Sequence, residues 1–244
     1  MAKTKWISHR GESYDAPENT VPSFRLSLER KTDGMECDIY FTNDGKVVCN
    51  HDGDTGRVSG GFLKALVTES SYAGLQMVDV WNGKAGFEGT RIPLFTDTLP
   101  YLGPGREYYV EIKKGDVNMV PELIRIIDNS GIPKEQFTMI CFGDEVVKCY
   151  KEAAPERKAL LLVGGEPAPD TEAVIARLQA CHADGVDIRC SSNIDEAYVA
   201  KLRQAGFYIA VWTVDTPELA RKFLDLKVDS ITSNRAAWLM RMFA

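Results

Sequence analysis

Short apolar segments alternate along the chain with longer segments in which apolar residues recur at helical spacing. Between the short segments, VPELIRIIDNSG and AYVAKLRQAG are typical helical stretches, and the glycine that ends each is a predicted C-terminal cap. Eight short segments have the length and composition of buried parallel strands: 6–9, 35–40, 108–113, 137–142, 159–164, 185–189, 208–213 and 229–233. Eight strand–helix repeats indicate either a closed barrel or an open, doubly wound sheet.

Chemically useful polar residues follow several of these strands, which favours the closed form. The C-terminal face of a barrel collects residues from many strand ends into one site. We therefore predict an α/β fold, a (β/α)8 TIM barrel with a short insertion after the second strand. A length of 244 residues fits one such domain over residues 1–244.

One apolar segment breaks the alternation. The sequence KVVCNHD (46–52) follows the second predicted strand after a short Asn-Asp-Gly turn, which can join antiparallel strands but not parallel ones. This hairpin is expected to send His51 back toward the barrel mouth. The glycine-rich residues from about 43 to 92 then form the predicted insertion, and Tyr72 and Trp81 lie within it.

Composition and charge narrow the classes of partner. The formal net charge of -6 provides no basic field for nucleic acid or anionic lipid. Six cysteines without a CxxC pair indicate neither a disulfide framework nor a zinc site. Because no segment reaches the roughly 18 apolar residues of a membrane helix, we expect no stable membrane insertion. A cytoplasmic location is predicted, or a periplasmic or secreted one if a signal peptide precedes this sequence.

Carboxylates recur on one face of two neighbouring predicted strands. Glu36 and Asp38 are one residue apart in a strand and therefore point the same way, as do Glu111 and Lys113. Buried carboxylates are costly side by side unless a cation compensates them, and oxygen ligands suit Mg2+ or Ca2+ better than zinc. The alternative is a structural network in which Lys113 or an arginine pairs with the glutamates.

Two of the three histidines, His9 and His51, follow a strand close to these carboxylates. Two imidazoles that titrate near neutrality can divide the proton transfers of phosphodiester hydrolysis. Arg10 offers a planar fork for phosphate oxygens, and Lys113 offers a point charge. The third histidine, His182, lies in the helix-like ARLQACHADG and is expected to be structural.

The chain resembles the glycerophosphodiester phosphodiesterase family over essentially its whole length. Six segments carry the resemblance: HRGESYDAPENTVPSF (9–24), ECD (36–38), TNDGKVVCNHD (42–52), VEIK (110–113), VWTVD (211–215) and DSITSN (229–234). The order His-Arg-Gly, Pro-Glu-Asn-Thr, Glu-x-Asp and His-Asp is far more specific than one short motif. The resemblance implies a barrel with a short insertion, a divalent cation, and cleavage of small-molecule glycerophosphodiesters to glycerol 3-phosphate and an alcohol.

Carried over position by position, the resemblance implies metal ligands at Glu36, Asp38 and Glu111 and an acid–base pair at His9 and His51. It further implies substrate contacts at Arg10, Lys113, Trp212 and Glu18. Which histidine is the acid, and whether water or the substrate's own hydroxyl attacks, stays open. Glu18 and Asn19 are expected to orient the first loop or the metal shell; the alternative is helix capping, in which Asn19 or Thr20 begins the next helix. Trp212 can instead serve barrel packing.

Two departures from the family pattern concern the pocket. Where relatives commonly have Thr-Asp after the last strand, this chain has Thr232, Ser233 and Asn234, and IPLFTDTL (92–99) lacks the glutamate often found there, with Asp97 nearby. We expect both to affect substrate preference more than the reaction. Asp54 and Arg57 are weaker candidates for substrate contacts.

Two rival functions remain. A lysophospholipase D type enzyme would use the same centre on a lipid-bearing diester, with an apolar mouth formed by Tyr72, Leu75, Met77 and Trp81. A non-catalytic barrel that binds phosphodiesters is the other, and the pair of histidines argues against it.

Overall fold

A computed structural model describes residues 3–244, apart from the side chain of Lys114. The strands are β1 (Lys5–Ser8), β2 (Gly34–Phe41), β3 (Val47–Cys49), β4 (Glu107–Ile112), β5 (Phe137–Cys141), β6 (Lys158–Val163), β7 (Gly185–Arg189), β8 (Tyr208–Trp212) and β9 (Ser230–Ser233). All except β3 pair in parallel, and β1 pairs with both β2 and β9, so these strands close into a ring. The predicted barrel is confirmed, and each of the eight predicted segments coincides with a ring strand.

Helices follow the ring strands and cover the barrel. They are α1 (Val21–Glu29), α2 (Tyr72–Leu75), α3 (Phe95–Thr98), α4 (Met119–Asn129), α5 (Asp144–Ala153), α6 (Thr171–Ala180), α7 (Glu196–Gln204), α8 (Pro217–Asp225) and α9 (Ala236–Met242). Gly131 and Gly206 follow α4 and α7 with positive φ, as the predicted caps require. Within residues 3–244, we find no helix with the length and apolar character needed to cross a membrane.

The strand β3 is the predicted hairpin return. It pairs antiparallel with β2, with Ile39 opposite Cys49 and Phe41 opposite Val47. The segment that follows has a hydrophobic core of its own, to which β2 and β3 contribute: Tyr40, Val48, Val58, Val67, Leu75, Val78, Val80 and Ile92. This core holds the hairpin, and with it His51, against the top of the barrel. That barrel and insertion form one domain stays a prediction.

Apolar side chains fill the barrel interior below the C-terminal strand ends. They come from most of the ring strands and include Ile7, Tyr109, Ile140, Leu160, Leu162 and Ala210. Such a layer makes the barrel a packed core and not a pore. Polar groups from β2, β4 and the loop after β1 face a cavity at the C-terminal end of the barrel, where the site lies.

Candidate active site

A small cavity opens at the C-terminal ends of the strands. Its volume is about 110 Å³, and its lining residues are His9, Arg10, Glu36, His51, Glu111, Ile140, Phe142, Leu162, Asp187, Trp212 and Thr232. Six of the nine predicted site residues therefore line one space. The other three, Glu18, Asp38 and Lys113, contact residues that line it. A larger groove of about 830 Å³ runs along α7 and α8 and includes none of the predicted residues.

The predicted acidic ligands form one buried cluster. Asp38 on β2 lies beside Glu111 on β4 in the register of the two strands, and Glu36 is one pleat earlier on β2. One carboxylate oxygen from each of the three lies within 4.8 Å of the other two. Strand alternation thus places all three on the interior face, as the sequence pattern predicts.

Crowding of these carboxylates shifts their pKa values. Burial, together with the charge of Asp38, raises the pKa of Glu36 well above its usual range and that of Glu111 to about 8. Burial acts the same way on Asp38, but the positive charges of Arg10 and Lys113 outweigh it and lower its pKa. The two neighbouring cations therefore do not provide enough positive charge to keep all three carboxylates ionised.

The loop after β1 brings Arg10 and Asn19 onto Asp38. Both residues adopt a left-handed backbone conformation, with φ of 55°, which is uncommon outside glycine and occurs where surrounding structure fixes it. Arg10 donates its backbone N–H to Glu36 at 2.8 Å, and its Nε lies 3.3 Å from Asp38. The Asn19 amide donates to Oδ2 of Asp38 at 2.7 Å.

Asn19 and its neighbour divide the two roles that the sequence left open. Asn19 orients the carboxylate of Asp38, and its Oδ1 also accepts the backbone N–H of Asp38 at 3.2 Å. Thr20 is the N-cap of α1, and the Ser23 hydroxyl accepts the Thr20 backbone N–H at 3.3 Å. The orienting and capping hypotheses are therefore both correct, for different residues.

Lys113 has features of both roles considered for it, a structural ion pair and a phosphate contact. Its Nζ lies 2.8 Å from Glu111 and 3.3 Å from Asp38, so it neutralises part of the acidic cluster. Its side chain is mostly buried beside the cavity. The ion pair expected as a structural alternative is present, and it holds the ammonium group next to the predicted phosphate position.

His9 is held by a residue that the sequence analysis left outside the histidine set. Its Nδ1 lies 2.7 Å from Oδ1 of Asn234, while the Asn234 amide nitrogen and backbone N–H both donate to Asp215. Because the amide nitrogen is engaged by a carboxylate, Oδ1 must face His9, and Nδ1 of His9 is the donor. The lone pair of the neutral ring is then on Nε2, which lies 4.0 Å from Glu36.

His51 belongs to a chain of charged side chains. Its Nδ1 lies 2.7 Å from Asp52, and Asp52 accepts from Nε of Arg57 at 2.7 Å. Both terminal nitrogens of Arg57 donate to Glu18, which also accepts from Arg10. Glu18 thus ties the loop after β1 to the hairpin loop. Asn234, one of the departures from the family pattern, thus contacts one predicted catalytic histidine, and Arg57 contacts the carboxylate partner of the other.

An aromatic pair closes one side of the cavity. The Trp212 indole N–H donates to the backbone oxygen of Asp187 at 3.0 Å, and its ring meets Phe142 edge-on at 5.8 Å between centroids. Phe142 is 46% exposed, so this wall reaches the solvent. Trp212 both lines the cavity, as predicted, and packs within the barrel.

Other candidate residues lie elsewhere. His182 is exposed after α6, Asp97 accepts the backbone N–H that begins α3, and Asp54 accepts the N–H of Gly56. The sequence analysis does not name Asp187, which lines the cavity. Its place inside a buried strand, where an acidic residue is unusual, is the sequence feature that could have indicated it.

Comparison with known proteins now identifies the family. A family model described as the glycerophosphoryl diester phosphodiesterase family matches residues 9–237. The chain belongs to this family. The resemblance in the sequence is thereby confirmed, as is the prediction that the chain is a phosphoric diester hydrolase.

Two curated relatives extend this family assignment. A glycerophosphodiester phosphodiesterase of Caldanaerobacter subterraneus is 28% identical, with 98% of both chains covered. One of Bacillus subtilis is 23% identical, with 93% of this chain and 82% of the relative covered. The match to both extends well beyond the motifs.

Solved structures share the barrel. A glycerophosphodiester phosphodiesterase of Thermotoga maritima has a TM-score of 0.80 at 20% identity, covering 99% of both chains. A phosphodiesterase of Oleispira antarctica in complex with the product sn-glycerol-3-phosphate has a TM-score of 0.87 at 22% identity, covering 100% of this chain and 97% of that one. At this identity the likeness establishes the fold.

Proposed function

We propose that this chain hydrolyses glycerophosphodiesters to glycerol 3-phosphate and an alcohol, and that the cavity at the C-terminal end of the barrel is its active site. One observation carries the proposal: two histidines and two buried glutamates line a single small cavity, and the third carboxylate, that of Asp38, clusters with the glutamates. Family membership and the relatives' names support the reaction and its substrate class.

The acidic cluster fits a divalent cation. Oδ1 of Asp38 is buried and, among the described residues, has no hydrogen bond, although Nζ of Lys113 lies 3.3 Å from it. Carboxylate oxygens are the ligands that Mg2+ and Ca2+ take. Glu36, Asp38 and Glu111 would hold the ion. When bound, it would stabilise negative charge on a phosphate oxygen and on the attacking oxygen.

The histidine neighbours suggest different roles for the two rings. His9 faces a neutral amide, and burial together with Arg10 lowers its pKa to about 4, which keeps Nε2 free to accept a proton. Burial lowers the pKa of His51 as well, but the carboxylate of Asp52, which has no counterpart at His9, opposes this shift and favours the charged form. We propose His9 as the general base and His51 as the general acid.

Arg10 and Lys113 are the proposed phosphate contacts. Arg10 lines the cavity, and its remaining donors are oriented by ion pairs to Glu18 and Asp38. Lys113 lies beside two carboxylates next to the same space. Because these ion pairs already hold both side chains in place, less conformational entropy is lost when the phosphate binds. The base takes its proton either from water or from the substrate's own glycerol hydroxyl, and detection of a cyclic phosphate intermediate distinguishes these routes.

The cavity does not favour a lysolipid substrate. Its volume of about 110 Å³ is small, and the adjoining groove of about 300 Å³ shares only Glu111 and Phe142 with it. The four insertion residues expected to form an apolar mouth are not among its lining residues, and Leu75 is instead buried in the insertion core. A small glycerophosphodiester fits better.

A coupled assay for glycerol 3-phosphate tests the proposal. Glycerophosphocholine and glycerophosphoethanolamine should release glycerol 3-phosphate in the presence of Mg2+ or Ca2+, and a chelator should stop the release. Lysophosphatidylcholine should be turned over far more slowly. If only phosphate monoesters were cleaved, the proposed reaction would be wrong.

A further inference from the structure

A polar group lies in the cavity on the wall opposite the acidic cluster. Asp187 belongs to β7, which is four strands away from β2 in the eight-strand ring. Its register neighbours are Leu162 on β6 and Ala210 on β8. Leu162 is apolar, and Ala210 has only a methyl group, so neither offers the carboxyl a hydrogen bond and Ala210 leaves space beside it.

Asp187 is buried without a partner for one of its oxygens. The residue is 1% exposed, and across residues 3–244, with Lys114 excepted, its Oδ1 takes part in no hydrogen bond. A second group shares this state: Oγ1 of Thr232, which is 2% exposed, also has no partner within the same part of the chain. Both residues line the cavity. Buried polar groups without partners are rare, and each one calls for an explanation.

The protonation state of Asp187 makes it a donor as well as an acceptor. Burial raises its pKa to about 8, and the charge of Lys158 only partly opposes this. At neutral pH the carboxyl is therefore mostly uncharged, with one O–H donor and one carbonyl acceptor. The threonine hydroxyl has the same dual capacity. Together the two groups match an alcohol, which also both donates and accepts.

We propose that Asp187 and Thr232 bind a hydroxyl of the substrate's glycerol moiety, and so determine specificity for glycerol-bearing diesters. This inference rests on the proposed function, because it places the phosphate beside Arg10 and the acidic cluster. Along the β5–β6 wall between the two sides, the cavity is lined by Ile140, Phe142 and Leu162, so the glycerol hydroxyls find their polar partners on β7 and β9.

Substrate discrimination tests this role more directly than loss of activity. Bis(p-nitrophenyl) phosphate is a diester without a hydroxyl group. For Asp187→Ala and Thr232→Val, the ratio of kcat/KM for glycerophosphocholine to that for bis(p-nitrophenyl) phosphate should fall roughly 10- to 100-fold. Asp187→Asn keeps a donor and an acceptor, so its ratio should fall less than that of Asp187→Ala.

Ser230→Ala is the matched control. Ser230 lies two residues before Thr232 on β9, but its hydroxyl contacts the Tyr109 hydroxyl at 3.1 Å and lies outside the cavity lining. Its variant should keep the wild-type ratio. An unchanged ratio in Asp187→Ala and Thr232→Val would overturn the inference. Equal losses on both diesters would show a structural role, and no loss on either would show no role.

Product binding supplies a readout that does not depend on turnover. With Mg2+ present, calorimetry should show weaker glycerol 3-phosphate binding in both variants, while the affinity for inorganic phosphate changes much less. If the wild-type enzyme cleaves glycerophosphocholine but the variants bind glycerol 3-phosphate normally, only the hydroxyl inference fails. If the wild-type enzyme cleaves no diester, the proposed function fails first.

Discussion

Nδ1 of His9 lies 2.7 Å from Oδ1 of Asn234, and Asp215 fixes the orientation of that amide. The loop after β9 therefore determines which nitrogen of a predicted catalytic histidine carries the proton. This relationship joins residues 225 positions apart, because closure of the barrel places β9 beside β1.

Replacing Asn234 tests the importance of this contact. Asn234→Ala leaves His9 without its acceptor, so the ring can rotate or change tautomer. We expect kcat to fall roughly 100-fold with little change in KM, since a small misplacement of a catalytic group has this effect. Ser13→Ala is the control, because Ser13 donates to the same oxygen at 2.9 Å without touching His9. Equal effects in both variants would contradict the positioning role.

Removal of a single carboxylate should weaken cation binding. Asp38→Asn and Glu111→Gln keep the size of the side chain but lose the charge that a divalent ion requires. Calorimetry should show at least roughly tenfold weaker Mg2+ or Ca2+ binding in each. Glu107→Gln, on the same strand as Glu111 but paired with Lys5, should bind the ion as the wild type does. Unaltered affinity in Asp38→Asn would argue against the proposed metal site.

Arg57 should affect activity more than stability. It bridges Asp52 and Glu18, but its side chain is 44% exposed, so these ion pairs contribute only about 0–1 kcal/mol to folding. Arg57→Ala releases Asp52 and thereby His51, and we expect a clear loss of kcat with an almost unchanged denaturation midpoint. A large stability loss that accounts for the lower activity would show that Arg57 is a structural residue only.

The buried carboxyl of Asp187 should make stability depend on pH. Its ordinary pKa of 3.8 rises to about 8 in the folded protein, so between these values the folded state binds more protons than the unfolded state. The free energy of unfolding therefore decreases as pH rises through this window. Asp187→Asn lacks this contribution.

Denaturant unfolding of both proteins measures the effect. The stability of Asp187→Asn relative to wild type should increase by roughly 1 kcal/mol per pH unit between about pH 5 and about pH 8. A difference that is constant with pH would show that Asp187 is ionised in the folded protein.

Local patterns predict the parts of this molecule that depend on strand geometry. The two-residue spacing of Glu36 and Asp38 places both on the interior face, and the Asn-Asp-Gly turn predicts the antiparallel return of β3. Neither inference requires knowledge of distant contacts. The eight ring strands follow from the same reasoning.

The features that the sequence does not predict depend on contacts between distant residues, which form only when the barrel closes. The sequence does not reveal the contact between Asn234 and His9, because that contact exists only once β9 lies beside β1. The left-handed conformations of Arg10 and Asn19 depend likewise on the surrounding loop. The insertion residues Leu75 and Val78 pack into a local core, which hydrophobicity alone does not distinguish from an apolar pocket mouth.

The most direct test of the whole account is glycerol 3-phosphate release from glycerophosphocholine by the wild type and by folded Glu36→Ala and His9→Ala variants, with and without chelator. The account predicts release by the wild type with Mg2+ or Ca2+, loss on chelation with recovery when the ion is restored, and very little release by either variant. Sustained release by a folded Glu36→Ala variant, or by the fully chelated wild type, would contradict it.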